Sequence, residues 1–275
     1  MLSPKHVAVI LFLTSSPVWF STAWCSSQSA SRGQLTAGLE LFHWQEFDTN
    51  SPLRLLSEQG ARMTLQTGWN DVFHDTRFRG ININAHLYSG AINYDGQTQS
   101  TIDPTKNGIF VASTSRYKGL GLELEKLSPL KNNDHAAMML ALGGDIWRRS
   151  IEQSTDAQGN PVSGASEDYR VVHSRLGLQW MTRGAFGDAR LRLGIRYPLW
   201  IDEHTADITL RPEPAVSLFA SYRLSLADKY NTIIDIYYDS LRLKPSPVVI
   251  DQYGDPWLQP ESKQDNVGLM IGFPF

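Results

Sequence analysis

The sequence lacks the features that mark several common protein classes. Its 275 residues include a single cysteine, Cys25, so no disulfide can form within the chain. Basic residues are not in excess, because 25 Lys and Arg stand against 28 Asp and Glu, for a formal net charge of −3. Beyond the first two dozen residues, no apolar run approaches the ~20 residues that a membrane-spanning helix needs. We therefore expect neither nucleic acid as a partner nor a bundle of membrane helices.

Residues that would suggest cofactor chemistry are also scarce. The seven histidines are dispersed, with no close pair at the spacing of metal ligands. No phosphate-binding glycine loop is present, since Gly119-Leu120-Gly121 is better explained as small residues within a strand. His86 and His173 have no nearby serine and acid that would suggest a nucleophile. The sequence thus predicts no metal and no cofactor.

The amino terminus has the pattern of an export signal. Lys5 lies in a short basic start, residues 7–20 are mainly apolar, and a run of small residues ends at Ala23. We expect a signal peptide over residues 1–23, because the serines and the proline within the apolar run disfavour a long buried helix. Cys25 follows the apolar run as a lipidation site would, but such a site requires a small residue where Trp24 stands.

The rest of the chain alternates between apolar and polar residues with a period of two. Successive side chains of a strand point to opposite faces, so this pattern predicts strands with one apolar face. The ten predicted strands cover residues 34–46, 62–70, 81–87, 119–125, 138–146, 172–180, 190–199, 216–224, 234–239 and 264–275. Polar links between them are by turns long and short, with long ones expected at 48–60, 95–107, 155–168 and 245–263. We predict an all-β fold, an antiparallel up-and-down barrel over residues 34–275.

Alternation alone does not say which face of the strands points inward. A soluble β-sandwich or a lipocalin-like barrel would bury the apolar face, whereas a transmembrane barrel would turn it toward lipid. Aromatic residues near the strand ends favour the membrane barrel, because such residues form girdles at the two membrane interfaces. The predicted girdle consists of Phe42, Trp44, Trp69, Tyr94, Phe110, Trp147, Trp180, Tyr197, Trp200, Tyr222, Phe273 and Phe275.

The chain ends in a regular alternation that finishes on an aromatic residue. The apolar positions are Val267, Leu269, Ile271, Phe273 and Phe275. This segment resembles the closing strand of Gram-negative outer-membrane β-barrels. The resemblance implies recognition of the strand by the barrel-assembly machinery, contact with outer-membrane lipid, and residence in the outer membrane. It also implies that residues 24–33 lie in the periplasm. The pattern is similar to that of proteobacterial barrels of this size whose activity is not established.

The parity opposite the apolar face carries many charges within the strands. Side chains fill most of the interior of a barrel of about ten strands, because wide aqueous channels need considerably larger barrels. We therefore expect arginine and carboxylate side chains to pair across the lumen, with a small selective channel lined by opposed charges as the alternative. The predicted lumen charges are Glu40, Arg62, Glu123, Glu125, Asp145, Arg175, Arg190, Arg192, Arg196, Arg223, Asp235 and Asp239.

Asp202-Glu203-His204 stands at the end of the seventh predicted strand. Asp202 and His204 share a parity that we assign to the inward face, where an Asp could orient a His to activate water. The stretch resembles the Asp-Glu-His of omptins, ten-stranded outer-membrane proteases, and the resemblance implies a hydrolase with these two as catalytic residues. Omptins also need two acidic residues on the opposing wall, for which the facing loops offer only scattered candidates such as Asp95 and Asp103. We therefore favour a non-enzymatic barrel with a structural or surface-interaction role, with no particular extracellular ligand indicated.

Overall fold

The computed structural model describes residues 33–49, 53–72, 80–98, 107–131, 133–227, 229 and 231–275. The predicted signal peptide, residues 24–32 of the predicted periplasmic segment, and Asp103 lie outside the described residues. Gly33, which we assigned to that segment, already begins the first strand. No helix in the described part of the chain is long and apolar enough to span a membrane.

Ten long strands close into one antiparallel barrel. Each strand pairs with the next along the chain, and the last pairs with the first, so the sheet has no free edge. The strands are β1 (Gly33–Phe47), β2 (Arg54–Trp69), β3 (Ile81–Gln97), β4 (Phe110–Leu130), β5 (Asn133–Ile151), β6 (Ala165–Gly184), β7 (Gly187–Thr205), β8 (Ser217–Leu226), β9 (Ile233–Lys244) and β10 (Glu261–Pro274). The predicted all-β, ten-stranded, up-and-down barrel is confirmed.

The apolar face of every strand points outward. On β7, Leu193 and Ile195 are 44% and 41% exposed, whereas Arg196 is 4% exposed on the inward face. Each other strand repeats this arrangement, so the exposed apolar side chains form a continuous outward apolar band. One member from each strand is Leu41, Met63, Leu87, Leu122, Leu140, Leu176, Leu193, Leu218, Ile236 and Leu269. A soluble barrel would bury these side chains, so the inside-out distribution favours the membrane barrel.

Several strands extend beyond the outward apolar band. There the outward side chains are polar: Arg116 pairs with Glu152 at 2.6 Å, and Arg148 donates to Asp168 at 2.7 Å. Strand β2 begins at Arg54, although 48–60 was predicted to be a polar link. That prediction was wrong because polar inward residues of β2 fill the barrel, and a strand with two polar faces has no apolar alternation to reveal it.

Long connections lie mainly at one end of the barrel and short turns at the other; between the first three strands the order is reversed, because residues 48–53 form the shorter connection and residues 70–80 the longer one. Residues 98–109, 152–164, 206–216 and 245–260 connect strands at one end, here called the long-loop end. Residues 131–132, 185–186 and 227–232 connect them at the other, the short-turn end. At the short-turn end Gly187 has a φ of 137°, which a residue with a side chain rarely adopts. Two small hairpins form within the long loops, Ser154–Thr155 with Pro161–Val162 and Val249–Ile250 with Pro256–Trp257.

We expect Ile195→Arg to destabilise the barrel in a lipid bilayer by about 2–4 kcal/mol, because it puts a charge in the middle of the outward apolar band. Ile250→Arg is the matched control, since Ile250 is 59% exposed on a hairpin outside the band. Urea unfolding of both variants in phospholipid vesicles, followed by tryptophan fluorescence, measures the difference. Equal effects of the two substitutions would contradict a lipid-facing band.

Candidate functional site

Eleven of the twelve predicted lumen charges form ion pairs with one another, and within the described structure Arg190 is the exception. The pairs are Arg62 with Glu40, Arg192 with Glu125, Arg196 with Asp145 and Asp239, Arg175 with Glu123 and Asp239, and Arg223 with Asp235. Arg62 with Glu40 and Arg223 with Asp235 are directly opposed residues of consecutive strands, whereas the other pairs join strands that are not consecutive and that the closed barrel brings face to face. The lumen is therefore crossed by charge-assisted hydrogen bonds rather than left open.

Arg62 is the most enclosed arginine at the level of the outward apolar band, with 2% of the residue exposed. Its Nε donates to Glu40 Oε1 at 2.9 Å, and a second guanidinium nitrogen donates to the same oxygen. The hydroxyl of Tyr237 donates to Glu40 Oε2 at 2.8 Å. The guanidinium carbon lies 4.1 Å from the ring centroids of both Phe42 and Tyr88. Arg62 thus combines an ion pair, in which both oxygens of Glu40 accept hydrogen bonds, with two cation–π contacts.

Arg196 joins a second group of charges in the middle of the lumen. It donates to Asp239 Oδ2 at 2.9 Å and to Asp145, and it lies 3.2 Å from His173 Nδ1. Arg175 donates to the same Asp239 oxygen at 3.0 Å. Arg196 uses its other terminal nitrogen for Asp145 and His173, whereas the Nε atoms of Arg175 and Arg196 are buried without a hydrogen-bond partner in the described structure.

Small residues make room for these side chains. A Cβ atom on Gly121 would overlap His86 and Asp145, and one on Gly119 would overlap the ring of Tyr88. This agrees with our explanation of Gly119-Leu120-Gly121 as small inward-facing strand residues around an outward leucine. His86 and His173, which the sequence did not assign to catalysis, face Asp145 and Glu123 at 3.4 Å.

A third cluster lies at the long-loop end, beyond the outward apolar band. Arg149, whose side chain is 1% exposed, contacts three carboxylates. It donates to Glu46 at 3.1 Å, to Glu58 at 3.0 Å and to Glu167 at 2.8 Å. Aromatic rings pack around this centre. We call this cluster the outer seal; its members are Trp44, Glu46, Glu58, Trp147, Arg149, Glu167 and Tyr169.

The rings of the outer seal contact one another: two belong to the neighbouring strands β5 and β6, and the third comes from β1. Trp147 and Tyr169 are stacked with centroids 4.8 Å apart and an interplanar angle of 6°, and Trp44 meets Tyr169 edge-on at 5.8 Å. The indole nitrogen of Trp44 donates to Glu46 Oε1 at 2.8 Å. All three rings are buried. The layer is therefore both apolar and hydrogen-bonded, as a water-excluding closure requires.

Glu203 adds a fourth carboxylate next to the outer seal. It lies beyond the outward apolar band, because its neighbours on the outer face, Asp202 and His204, are polar. Burial raises the pKa of Glu203 well above its ordinary value, and the negative charges of Glu167 and Glu46 raise this pKa further. A protonated Glu203 lessens the repulsion among four acids around one arginine.

Sequence reasoning placed four members of this region in the wrong part of the barrel. Phe42, Trp44, Tyr94 and Trp147 were predicted to form an interfacial girdle, but they pack inside the lumen at the long-loop end. Their parity could have shown this, because Phe42 and Trp44 share the inward face of β1 with Glu40. The other eight predicted girdle residues are exposed on the outer surface, namely Trp69, Phe110, Trp180, Tyr197, Trp200, Tyr222, Phe273 and Phe275.

The inward assignment of Asp202 and His204 is also wrong. Trp200 pairs with Val172 and Pro198 pairs with His173, so Leu199 is an extra residue that forms a bulge in β7. A bulge reverses the parity of every later residue in the strand. Glu203 therefore points inward, with 2% exposed, and the other two point outward.

The two outward residues have surface partners. Asp202 accepts a hydrogen bond from Arg211 at 3.0 Å, and His204 lies 3.2 Å from the hydroxyl of Thr209. Asp95, one of the two expected acidic partners, is exposed on β3. The geometry does not assemble the acid–base pair on which the hydrolase interpretation depends.

A cavity of about 160 Å³ lies between the outer seal and the short-turn end. Its wall runs from Trp147 of the outer seal to Asn70 and Arg190 at the short-turn end. Among the residues that the structure describes, no group of three or more His, Cys, Asp or Glu side chains is arranged to hold a metal ion. The cavity is therefore a polar, arginine-rich vestibule with one blocked end.

No protein-family model matches the chain, and no curated protein matches its sequence. Among solved structures it is similar to the outer membrane protease OmpT from Escherichia coli, with 12% identity, coverage of 93% of this chain and 100% of that chain, and a TM-score of 0.47. It is also similar to the transport unit of the autotransporter AIDA-I from Escherichia coli, with 10% identity, 92% and 93% coverage and a TM-score of 0.44. A third is Ail, the attachment invasion locus protein of Yersinia pestis, with 8% identity, 89% and 99% coverage and a TM-score of 0.34.

We expect Arg62→Met to destabilise the barrel by about 3–5 kcal/mol, because Glu40 would remain buried without its cation. Adding Glu40→Gln should recover most of that loss, since the amide can still accept from Tyr237. Guanidinium unfolding in detergent micelles measures both variants. Arg148→Met, which breaks an exposed pair with Asp168, is the control and should change stability little. A double variant as unstable as Arg62→Met would show that the pair is not the cause.

Proposed function

We propose that the protein is an integral outer-membrane β-barrel with its short turns in the periplasm and its long loops outside the cell. The outward apolar band supports this placement, because only lipid offers such a surface a favourable environment. The polar strand ends at the long-loop end fit a position beyond the lipid, in the aqueous phase. The closed sheet satisfies its backbone hydrogen bonds internally, as a chain that crosses lipid must.

We propose further that this barrel does not conduct solutes and acts instead at the cell surface. The outer seal is the observation that carries this conclusion. It puts three packed rings and a buried ion cluster between the vestibule and the long-loop end. A conducting pore would need a continuous line of polar side chains and water along its axis.

The loop between β9 and β10 is the part best suited to contact an extracellular partner. Its hairpin is held by Asp251, which accepts backbone hydrogen bonds from Tyr253 at 2.8 Å and Asp255 at 2.9 Å and one from the Trp257 indole at 3.0 Å. These bonds lower the pKa of Asp251. Tyr253 is 82% exposed at the tip. A rigid turn that presents an aromatic side chain loses little entropy when it binds.

We expect planar bilayers that contain the wild-type barrel to show no conductance steps, because the outer seal blocks the lumen. The double variant Trp44→Ala with Tyr169→Ala removes two of its three rings and should open small steps. Trp200→Ala with Tyr222→Ala is the matched control, since it removes the same two residue types from the outer surface and should remain silent. Steps from the wild-type protein would favour the selective channel instead.

Strand β10 is proposed to be the segment that the barrel-assembly machinery recognises. Its alternate residues Val267, Leu269, Ile271, Phe273 and Phe275 all point outward and are exposed. The strand closes the barrel on β1, where Gly33 and Phe275 exchange backbone hydrogen bonds of 3.1 and 2.9 Å. Before the barrel closes, β10 therefore presents both its outward side chains and its unpaired backbone edge for recognition. Pairing with β1 then covers the backbone edge.

We expect Phe275→Ala to reduce the amount of folded barrel in the outer membrane of expressing cells severalfold, read as heat-modifiable migration on gels. Refolding of the purified variant in detergent should match wild type, because the lost ring faces outward. Phe186→Ala is the control, since Phe186 is 87% exposed in a turn at the same end of the barrel. A refolding defect as large as the defect in cells would assign Phe275 to stability rather than recognition.

A further inference from the structure

Among the residues that the structure describes, Arg190 is the one predicted lumen charge that forms no ion pair. It points into the vestibule from β7, near the short-turn end, and its Nε is shielded from solvent without a hydrogen bond. Within the described part of the chain it forms no ion pair. An arginine remains charged at every physiological pH, so it cannot relieve this situation by losing a proton.

Its surroundings add positive charge. Arg223 stands directly opposite Arg190 in the pairing of β7 with β8, and Arg192 follows two residues along the same face. Like charges opposite one another destabilise a sheet. The two carboxylates at this level already serve other arginines: Glu125 accepts from Arg192 at 2.8 Å, and Asp235 accepts from Arg223 at 3.0 Å. Three arginines against two acids leave one positive charge in excess.

The acids farther inside do not neutralise this excess. Glu123, Asp145 and Asp239 outnumber the arginines at their own level, but each of them is already bonded to Arg175 or Arg196. Opposed local imbalances along the lumen leave the short-turn end positive and the middle negative. An anion that enters from the short-turn end therefore meets the positive region first.

Neutral hydrogen-bond donors line the same end of the vestibule. The side-chain amides of Gln66, Asn70 and Asn84 line the same cavity and make no hydrogen bond within the described structure. Gly68 leaves room for the side chains of two residues, because a Cβ atom there would come within 2.7 Å of Gln34 and 2.8 Å of the side-chain oxygen of Asn84. A cavity lined by an unpaired guanidinium nitrogen and by unpaired amides offers donors that suit the several oxygens of an oxyanion.

We propose that the short-turn end of the lumen binds a small oxyanion of the phosphate type, held by Arg190 and assisted by the amides of Gln66, Asn70 and Asn84. The cavity of about 160 Å³ has space for a tetrahedral anion and its remaining water. The outer seal closes the other end, so the anion enters and leaves from the periplasmic side. The barrel thus binds the anion from one side of the membrane and does not conduct it to the other.

The test uses the full-length mature barrel in dodecyl maltoside, a detergent without phosphate, with inorganic phosphate as the probe. Wild-type protein should bind phosphate in calorimetric titration and should gain thermal stability in phosphate relative to chloride at equal ionic strength. Arg190→Met should lower phosphate affinity by roughly tenfold or more, since a charge-assisted bond is lost. It should also unfold at a higher temperature than wild type when phosphate is absent, because the unpaired charge is gone.

Arg183→Met is the matched control, because Arg183 is an exposed arginine at the same end of the barrel. It should leave phosphate affinity unchanged. Arg190→Lys keeps the charge without the planar fork and should bind with intermediate affinity. Absence of binding of both inorganic phosphate and a phosphate headgroup to wild type, or equal losses of affinity in the Arg183 and Arg190 variants, would overturn the proposal. Arg190→Lys keeps the charge, so its affinity tests the role of Arg190 even if Arg190→Met fails to fold.

The phosphate group could be free or could belong to a lipid headgroup of the inner leaflet. A second arm therefore adds phosphatidylglycerol to the same micelles without inorganic phosphate. Stabilisation by phosphatidylglycerol that Arg190→Met abolishes would identify the headgroup as the source, and a response to inorganic phosphate alone would identify the free anion. No Arg190-dependent response to either probe would rule out the site. Conductance plays no part in these readouts, so the result is independent of whether the barrel is closed.

Discussion

Pairing of arginine with carboxylate inside a closed lumen is the interaction on which the rest of this structure depends. The outer face of the sheet is apolar and therefore makes no polar contacts that could stabilise the barrel from outside. Side chains alternate between the two faces of a strand, so the polar residues of the alternating pattern lie on the inner face. Those residues are stable only if they find partners across the lumen, because an unpaired charge in a narrow interior is costly. Arg62 with Glu40, and Arg196 with Asp145 and Asp239, meet that requirement.

This requirement explains why the period-two pattern predicted the fold well. Burying one parity and exposing the other is a property of every residue in a strand, so ten alternating segments are enough to predict ten strands and to say which side chains share a face. Leu193 and Arg192 are adjacent in sequence and lie on opposite sides of the wall. Alternation is the same in a soluble barrel turned inside out, so the prediction that the apolar face points outward needed the aromatic residues and the resemblance of the last strand as well.

The errors have equally local causes. Strand β2 was predicted too short because Glu58 and its neighbours are polar on both faces, and the hydrophobic pattern disappears where a strand leaves the membrane. Asp202 and His204 were assigned to the wrong face because of one extra residue, Leu199. A bulge leaves no compositional mark and yet reverses all that follows it. The outer seal was missed for the first of these reasons, since it is built from strand ends beyond the apolar alternation.

The two ends of the lumen carry excess charge of opposite sign. At the long-loop end acids are in excess, with Glu46, Glu58, Glu167 and Glu203 around Arg149, and the excess is relieved because a carboxyl group can take up a proton. At the short-turn end arginines are in excess, and a guanidinium cannot give up its proton. No described residue neutralises that excess, and the oxyanion that we propose would do so. With that anion the lumen would be filled by packed rings and acids at one end and completed by a ligand at the other. In the orientation that we propose, this asymmetry favours binding from the periplasmic side over passage through the membrane.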